Sequence, residues 1–491
     1  MAILDATLSE EYLNLVDGQW VPSRNGQWIS VESPRNFETI AQVPRGDEKD
    51  IDDAVSAAGR ALPAWRATAP RARGRLLQQI GDALEAHVER IARIISIENG
   101  NAIKTQSRGE VRYAVDVFRY FGSVASETKG EQLPLNDHVL DYSRREPLGI
   151  VGAIVPWNAP VQLAAMKVSC ALAAGNTLVL KVAEDAPLAV IEMAKICAEF
   201  LPAGVLNVIV GYGTEAGEAL ISHPDVAKLS FTGSTAIGSR VMSAAAERIV
   251  PVSLELGGKN PQIVFPDADE DWVAQGTIAA MRFARQGQSC TAGSRVFVHR
   301  SIVDSFVQKV TDHLKKLKVG DPLDEDSDIG AIVNRKQFDR VCGYIEEGLG
   351  REESLVAIGG APPKEGPLSK GYYVEPTVFV GVDNQWRIAQ EEIFGPVMCV
   401  IPWDDEDEVI KMANDSHYGL SAFIWTHDLG SAIRTANSIE SGWVQVNQGG
   451  AQVLGQSYGG FKQSGIGREF SLEGMLEGFT QRKHVSIDIS H

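Results

Sequence analysis

The chain has 491 residues, too many for one hydrophobic core, so its length implies two or three domains. Hydrophobic residues make up 44% and charged residues 22%, the balance of a soluble globular protein, and no apolar run approaches the ~20 residues that span a bilayer. Lys and Arg number 46 against 64 Asp and Glu, a formal charge of -18 without a basic run, which argues against nucleic acid and anionic membranes as partners.

In chain order, residues 16–21 and 27–31 flank Asn25-Gly26, which predicts a β-hairpin turning there. Asp47 is placed to cap a helix carrying Ile51, Val55 and Ala58. Leu76, Leu77, Ile80, Leu84, Val88, Ile91 and Ile95 recur at three-to-four spacing and predict one long helix over 71–98, its Arg and Glu residues forming a solvated face. A further helix over 111–125 carries Tyr113, Phe118, Tyr120 and Phe121, an aromatic stripe suited to packing, with one or two rings free to border a ligand tunnel.

After Pro147 the texture changes. Residues 149–155, 176–182 and 205–210 are apolar runs without alternation, separated by helical segments, which predicts strands covered on both faces and a parallel doubly wound sheet. The pattern restarts after Pro261 with strands over 262–265 and 295–298 and a helix over 302–317, a second α/β unit. Residues 351–370 are polar and rich in Gly and Pro and read as a surface loop. Residues 483–489 alternate as an exposed strand would. Unpaired, that strand is an edge liability, so pairing with another chain, and hence an oligomer, is expected.

The five cysteines, Cys170, Cys197, Cys290, Cys342 and Cys399, are odd in number, widely spaced and without a CxxC pair. Neither a disulfide framework nor a metal site is expected from them. The first residues, Met1-Ala2-Ile3-Leu4-Asp5, carry no basic region and no long apolar run, so no secretory signal is expected and the cytoplasm is the expected compartment.

Three stretches carry chemistry. Cys290 lies among small and polar neighbours between Gly287 and Gly293, where a backbone can come close to a bound molecule. In Leu254-Glu255-Leu256-Gly257-Gly258-Lys259-Asn260-Pro261 a glutamate sits between two leucines, an unusual place for a carboxylate. Asn158 is fixed between Pro156 and Pro160. Thiol, carboxylate and amide donor supply a nucleophile, a base and an oxyanion partner for covalent chemistry on a carbonyl. Two glycine-bearing runs, residues 211–217 and 231–238, each follow a predicted strand and open a helix, where backbone amides can hold a phosphate. The first, which contains Gly213, is one residue longer than G-x-G-x-x-G.

These stretches, in this order, resemble the aldehyde dehydrogenase superfamily, NAD(P)-dependent and non-acylating. So do Glu391-Glu392-Ile393-Phe394-Gly395-Pro396-Val397 and Gly459-Gly460-Phe461-Lys462-Gln463-Ser464-Gly465-Ile466-Gly467-Arg468-Glu469. The resemblance runs from near Trp20 to the final strand. It implies an α/β fold with a Rossmann-like parallel-sheet cofactor domain (1–125 and 147–257), an α/β catalytic domain (258–463) and a small β oligomerisation arm (126–146 and 479–491) that builds a homodimer or homotetramer.

The resemblance also implies roles. Cys290 attacks an aldehyde, Asn158 and the Cys290 N–H hold the oxyanion, and Glu255 activates the water that hydrolyses the resulting thioester. Lys167 and Glu469 match positions that relay protons, though a plain ion pair is an equal reading. Ile154, Val155, Trp157, Gly213, Phe231, Gly233, Leu256 and Gly257 match the cofactor cleft, with Ser234 as the pyrophosphate contact. Lys181 and Glu184 meet the adenosine ribose, where a carboxylate favours NAD over NADP; taken alone they read as a surface ion pair. Glu392 and Phe394 match the nicotinamide-ribose contact and ring-packing residue. The substrate pocket would be lined by Tyr113, Ala159, Leu163, Met166, Ala284, Ser289, Thr291, Gln452 and Tyr458. Ala159 and Ala284 leave room for a bulky or ring-bearing aldehyde, and Gln452 and Tyr458 suit a polar tail. Arg285 either binds a carboxylate, as in a semialdehyde, or faces the surface. Rival readings are an ester-cleaving cysteine hydrolase, opposed by the glycine runs and Glu184, and a silent relative, opposed by the intact Cys290, Glu255 and Asn158. A coenzyme-A-acylating enzyme is opposed by Glu255.

Overall fold

The computed structural model describes residues 8–490 apart from Ser354, so the stretch Met1-Asp5 and the final residue of the arm, His491, lie outside the described residues. The main sheet is made from the apolar runs after Pro147. Strands Ile150–Ile154, Thr177–Val182, Leu206–Val210, Val226–Thr232 and Val252–Glu255 are parallel, and across the sheet they stand in the order third, second, first, fourth, fifth. The chain changes direction between the first and fourth strands, and a crevice opens there at the carboxyl ends. Register aligns those ends: Ile154 lies between Lys181 and Phe231, and Thr232 lies beside Glu255. Asn14–Val16 adds to one side antiparallel to Leu206–Val210, with Gln19–Val21 beyond it at the edge. Gly465–Ile466 closes the other, with Gly465 paired to Glu255.

The second sheet has six parallel strands, Pro261–Val264, Arg295–His299, Thr377–Val380, Val397–Trp403, Ser421–Trp425 and Trp443–Val446. Leu355–Ile358 adds an antiparallel edge, so the segment expected as a loop carries a strand. That strand is short and largely exposed, and it leaves no alternation to read in the sequence.

Three other local expectations are corrected. The first hairpin turns at Asp17-Gly18, both at positive φ, and joins Asn14–Val16 to Gln19–Val21. Trp28–Glu32 instead pairs with Thr39–Pro44, while Asn25 uses its side chain to hold Gln27 N–H and the Arg45 carbonyl. The long helix is two, Pro70–Glu85 and Val88–Asn99, because the His87 ring and backbone N–H take the Ala83 and Leu84 carbonyls at the break. Its polar residues are not all solvated. Buried Glu98 accepts the Leu188 and Ala189 N–H groups, and buried Arg73 donates to the Thr68 and Ala173 carbonyls. Asp47 does cap its helix, Glu48–Ala67, in a capping box with Asp50.

The last strand, Thr480–Asp488, pairs antiparallel with Val139–Pro147, and Gln132–Asn136 completes a three-stranded sheet. The pairing expected from another chain is therefore made within this one along one edge. The other edge of Thr480–Asp488 has no strand neighbour among the described residues. Leu133, Leu135, Leu140 and Ile487 of this sheet are exposed. Among the described residues no helix is long and apolar enough to cross a membrane.

Candidate active site

Cys290 sits on the turn between helix Asp271–Ala280 and strand Arg295–His299. That connection is bent by three left-handed residues, Arg282, Gln286 and Gly287, at φ 61°, 52° and 64°. For the two non-glycine residues such a backbone costs roughly 1–3 kcal/mol each and persists only where the surroundings fix it. Here the Arg282 guanidinium donates to the Gly449 and Gly450 carbonyls at 2.8 and 2.6 Å, and Gln286 donates to the Gly100 carbonyl. Gly287 has no alternative, since a Cβ would lie 2.0 Å from the Gly395 carbonyl oxygen. Asn260 clamps the turn from below, donating to the Cys290 and Ala292 carbonyls at 2.8 and 2.9 Å. The Cys290 backbone N–H keeps no protein partner among the described residues. Its half-buried sulfur lies 3.8 Å from the Tyr458 hydroxyl. Burial pushes the thiol up to about 11. The Tyr458 hydroxyl and Arg285 work against that rise, while Glu392 and Glu255 add to it.

Asn158 ends the loop before helix Pro160–Ala174. One N–H of its side chain donates to the Gln288 carbonyl at 3.0 Å, which ties it to the cysteine turn. Its backbone is held by buried Asn101, which donates to the Asn158 carbonyl. Glu110, buried on helix Arg108–Val124, accepts the Val161 N–H at 3.0 Å and so serves the amino end of the helix that follows Asn158. Burial pushes Glu110 up to about 7 against the opposing charge of Arg285, whose guanidinium is 3.8 Å away.

Glu255 closes the fifth strand of the main sheet. It is buried, and neither carboxylate oxygen has a protein partner among the described residues. Burial raises it well above the usual carboxylate range, and the nearby Glu469 raises it further, with Lys167 and Arg468 opposing. Lys167 and Glu469 form an ion pair of 2.5 Å with side chains 0% and 1% exposed.

The other cleft residues line the carboxyl edge of the main sheet. Val155 N–H donates to the Lys181 carbonyl, and Lys181 pairs with Glu184 at 2.8 Å. Ser234 is the N-cap of helix Thr235–Arg248, yet its hydroxyl makes no capping bond and faces solvent. Gly213 opens a helical turn on the exposed rim, with open space where a Cβ would point. Leu256 packs on Gly238 and Gly233 N–H donates to the Glu255 carbonyl. Glu392 accepts the Gly258 N–H at 3.0 Å, and a Cβ on Gly257 would strike its carboxylate. Burial pushes Glu392 up to about 7. Phe394, itself at φ 58°, sets its ring edge-on to Trp157 at 5.3 Å. An uncapped helix N-terminus and side-chain-free glycines at a sheet switch point suit a dinucleotide.

One cavity of about 730 Å³ brings Cys290, Glu255 and Asn158 together with Tyr113, Ala159, Leu163, Ala284, Ser289, Thr291, Gln452 and Tyr458. Met166 does not line it. It is buried in the core, with its sulfur 3.8 Å from Cys170, because helix Pro160–Ala174 is covered all round and its sequence marks no cavity face. Arg285 does line it, held by Gln106. Glu110, Arg282, Thr232 and Phe470, which are not among the expected pocket residues, also form the wall. Only a charged residue recurring on an otherwise apolar helix face, as Glu110 does, hinted at the first.

Residues 20–485 match the model of the aldehyde dehydrogenase family. An aldehyde dehydrogenase of Vibrio cholerae serotype O1 is 41% identical over 464 residues, 93% of this chain and 91% of that protein. Among solved structures, PnpE of Pseudomonas sp. WBC-3 in complex with nicotinamide adenine dinucleotide superposes with a TM-score of 0.95 at 37% identity, covering 98% of each chain. An NAD+ complex of the aldehyde dehydrogenase from Bacillus cereus superposes with a TM-score of 0.96 at 37% identity, covering 100% of this chain and 99% of that one.

Proposed function

The chain belongs to the aldehyde dehydrogenase family and uses NAD, and from that premise we propose that it oxidises a bulky, ring-bearing or polar-tailed aldehyde, including semialdehydes, to the free acid through Cys290. The observation that carries the reading is the single cavity walled by thiol, carboxylate and amide at the carboxyl edge of a dinucleotide-type sheet.

The Cys290 thiolate adds to the aldehyde carbon. The new oxyanion is held by the Asn158 side chain and the free Cys290 N–H. Ile154, Trp157, Lys181, Glu184, Phe231, Ser234, Glu392 and Phe394 would hold NAD, which would supply the hydride acceptor when bound. The thioester left on Cys290 is hydrolysed by water that Glu255 deprotonates. Lys167 and Glu469 take the proton onward. Glu255 is also why the acyl group goes to water and not to coenzyme A. We assign the three-stranded arm, with its open edge and exposed leucines, to pairing with further copies of the chain as a homodimer or homotetramer.

The cavity favours the substrate class. Its size and its small residues Ala159 and Ala284 admit a ring, while Arg285, Lys316 and Gln452 line it for a polar or anionic tail. NADH formation from an aldehyde panel, with and without coenzyme A, tests this. Benzaldehyde-type and ω-carboxy aldehydes are expected to exceed acetaldehyde in kcat/KM by about tenfold or more, since each apolar group seated in a pocket is worth about 1–3 kcal/mol. Ester cleavage with no NADH from any aldehyde would overturn the proposal.

Glu184 sets the cofactor preference. A carboxylate near a 2′-phosphate costs about 1 kcal/mol in water-like surroundings and about 4 kcal/mol at an effective dielectric of 20. Glu184→Ser is therefore expected to raise NADP affinity by about tenfold or more relative to NAD. Calorimetric binding of both dinucleotides checks it, and an unmoved ratio would remove Glu184 from the ribose site.

A further inference from the structure

We propose that Lys228 and Ser253 carry to solvent the proton that Glu255 takes from water, along a polar ladder on one face of the main sheet. This rests on the reading of Glu255 as the hydrolytic base.

A parallel sheet covered on both faces is ordinarily apolar throughout. One face of this one is not. Lys228, Ser230 and Thr232 alternate along strand Val226–Thr232, and Ser253 and Glu255 along Val252–Glu255. Register sets Ser230 beside Ser253 and Thr232 beside Glu255, so all five side chains share a face. All five are buried. Lys167 and Glu469 pack onto the same face, where Ser230 Oγ donates to Glu469 Oε1 at 3.5 Å. Lys228 Nζ donates to Ser253 Oγ at 2.6 Å. Thr232 Oγ1, both Glu255 oxygens and Glu469 Oε2 have no protein partner among the described residues, which leaves acceptors along the route.

The far end of the ladder lies under glycine. A Cβ placed on Gly467 or Gly478 would sit 3.5 Å from Ser253 Oγ, and Gly467 is exposed. Lys228 is an unusual strut. Among the described residues its ammonium has no carboxylate at ion-pair distance, only the Ser253 hydroxyl and the face of Phe479 at 5.3 Å. Burial pushes it down to about 7, opposed by Glu469 and supported by Lys167, so near neutral pH it both takes and gives a proton.

The balance of the step is simple. A water O–H bond breaks, the oxygen bonds to the thioester carbon, and the proton goes to the Glu255 carboxylate. The C–S bond then breaks to give the acid and the Cys290 thiolate. Glu255 must lose its proton before the next turnover. It passes to Glu469, which Lys167 holds, then through the Ser230 hydroxyl bonded to Glu469 to the Ser253 hydroxyl and Lys228 amine pair, and leaves past the glycine over Ser253.

The test uses the full-length enzyme, with Lys228→Met, Ser253→Ala and Ser253→Thr. Single-turnover NADH formation reports hydride transfer, and steady-state turnover reports hydrolysis. Lys228→Met and Ser253→Ala are expected to keep the first and to lose about tenfold in the second, the low side of what a positioned proton-transfer group supplies. Their kcat should also show a weaker rise with pH near neutrality, the part that Glu255 supplies remaining, and a larger solvent deuterium isotope effect. Ser253→Thr, which keeps the hydroxyl, should restore turnover. If Lys228→Met does not fold, the two Ser253 variants decide. Unchanged steady state and pH profile in Ser253→Ala, or parallel loss of both rates, would overturn the relay alone. Absence of single-turnover NADH from the unaltered enzyme would overturn the oxidation and the relay with it.

Discussion

Cys290→Ala is expected to lower aldehyde oxidation by roughly 10⁴-fold or more, the scale on which removing a covalent nucleophile acts. Of the five cysteines only Cys290 lines the cavity. Cys170, Cys197 and Cys399 are buried in hydrophobic cores, and Cys342 lies on helix Arg335–Leu349. No other thiol is placed to substitute. Alanine should leave the turn intact, because Asn260 holds the Cys290 carbonyl and not its sulfur. A thiol pushed up to about 11 is almost wholly protonated at neutral pH in the bare protein, and the neighbours that work against this are the Tyr458 hydroxyl and Arg285. Oxidation should therefore rise with pH as the thiolate fraction grows. Iodoacetamide labelling of Cys290 should rise in step, since the thiolate is the reactive form. Steady-state and single-turnover NADH formation check the variant. Retention of either within tenfold would remove Cys290 as the nucleophile.

Much of this site is legible in the sequence because its parts are local. Glycines around Cys290, Glu255 between leucines, and continuous apolar runs each follow from a few neighbouring residues, and the strands appear where those runs predict them. What is not legible is decided by distant partners. Asp17-Gly18 and Asn25-Gly26 are equally good turn dipeptides, and only the choice of Thr39–Pro44 as partner for Trp28–Glu32 tells them apart. The break at His87 has neither Gly nor Pro to announce it. It arises because the His87 ring reaches a carbonyl one turn back. Glu98 looks like a solvated helix residue, and Glu110, though it stands on an apolar helix face, has no neighbour in sequence that names its partner. They are buried because each serves the amino end of a helix remote in sequence, beginning at Leu188 and at Pro160. The resemblance implies a pocket position for Met166, but a helix buried on every side gives no pattern that separates its cavity face from its core face.

Glu255→Gln is expected to separate the two halves of the reaction. Glutamine matches the shape of glutamate and keeps the packing, but it cannot accept the proton from water. One equivalent of NADH should form at close to the normal rate, and turnover should then fall by about 10²–10⁴-fold as the thioester accumulates, the span that a positioned general base contributes. The sign of the pH dependence follows from the site. Burial and Glu469 hold the Glu255 carboxyl well above the ordinary range, so the protonated, inactive form persists at higher pH than for a solvated glutamate. Hydrolysis by the unaltered enzyme should rise as pH passes upward through that raised value. The variant should show no such rise, because it has nothing to ionise there. The orphaned oxygens of Glu255 make this a sharp test. A carboxylate held only to brace the fold would be bonded to the groups it braces, and removing it would slow hydride transfer and hydrolysis together. Rapid quench followed by mass measurement of the protein resolves the two cases: an acyl adduct on Cys290 identifies the base, and an unmodified chain with both rates reduced assigns Glu255 to structure.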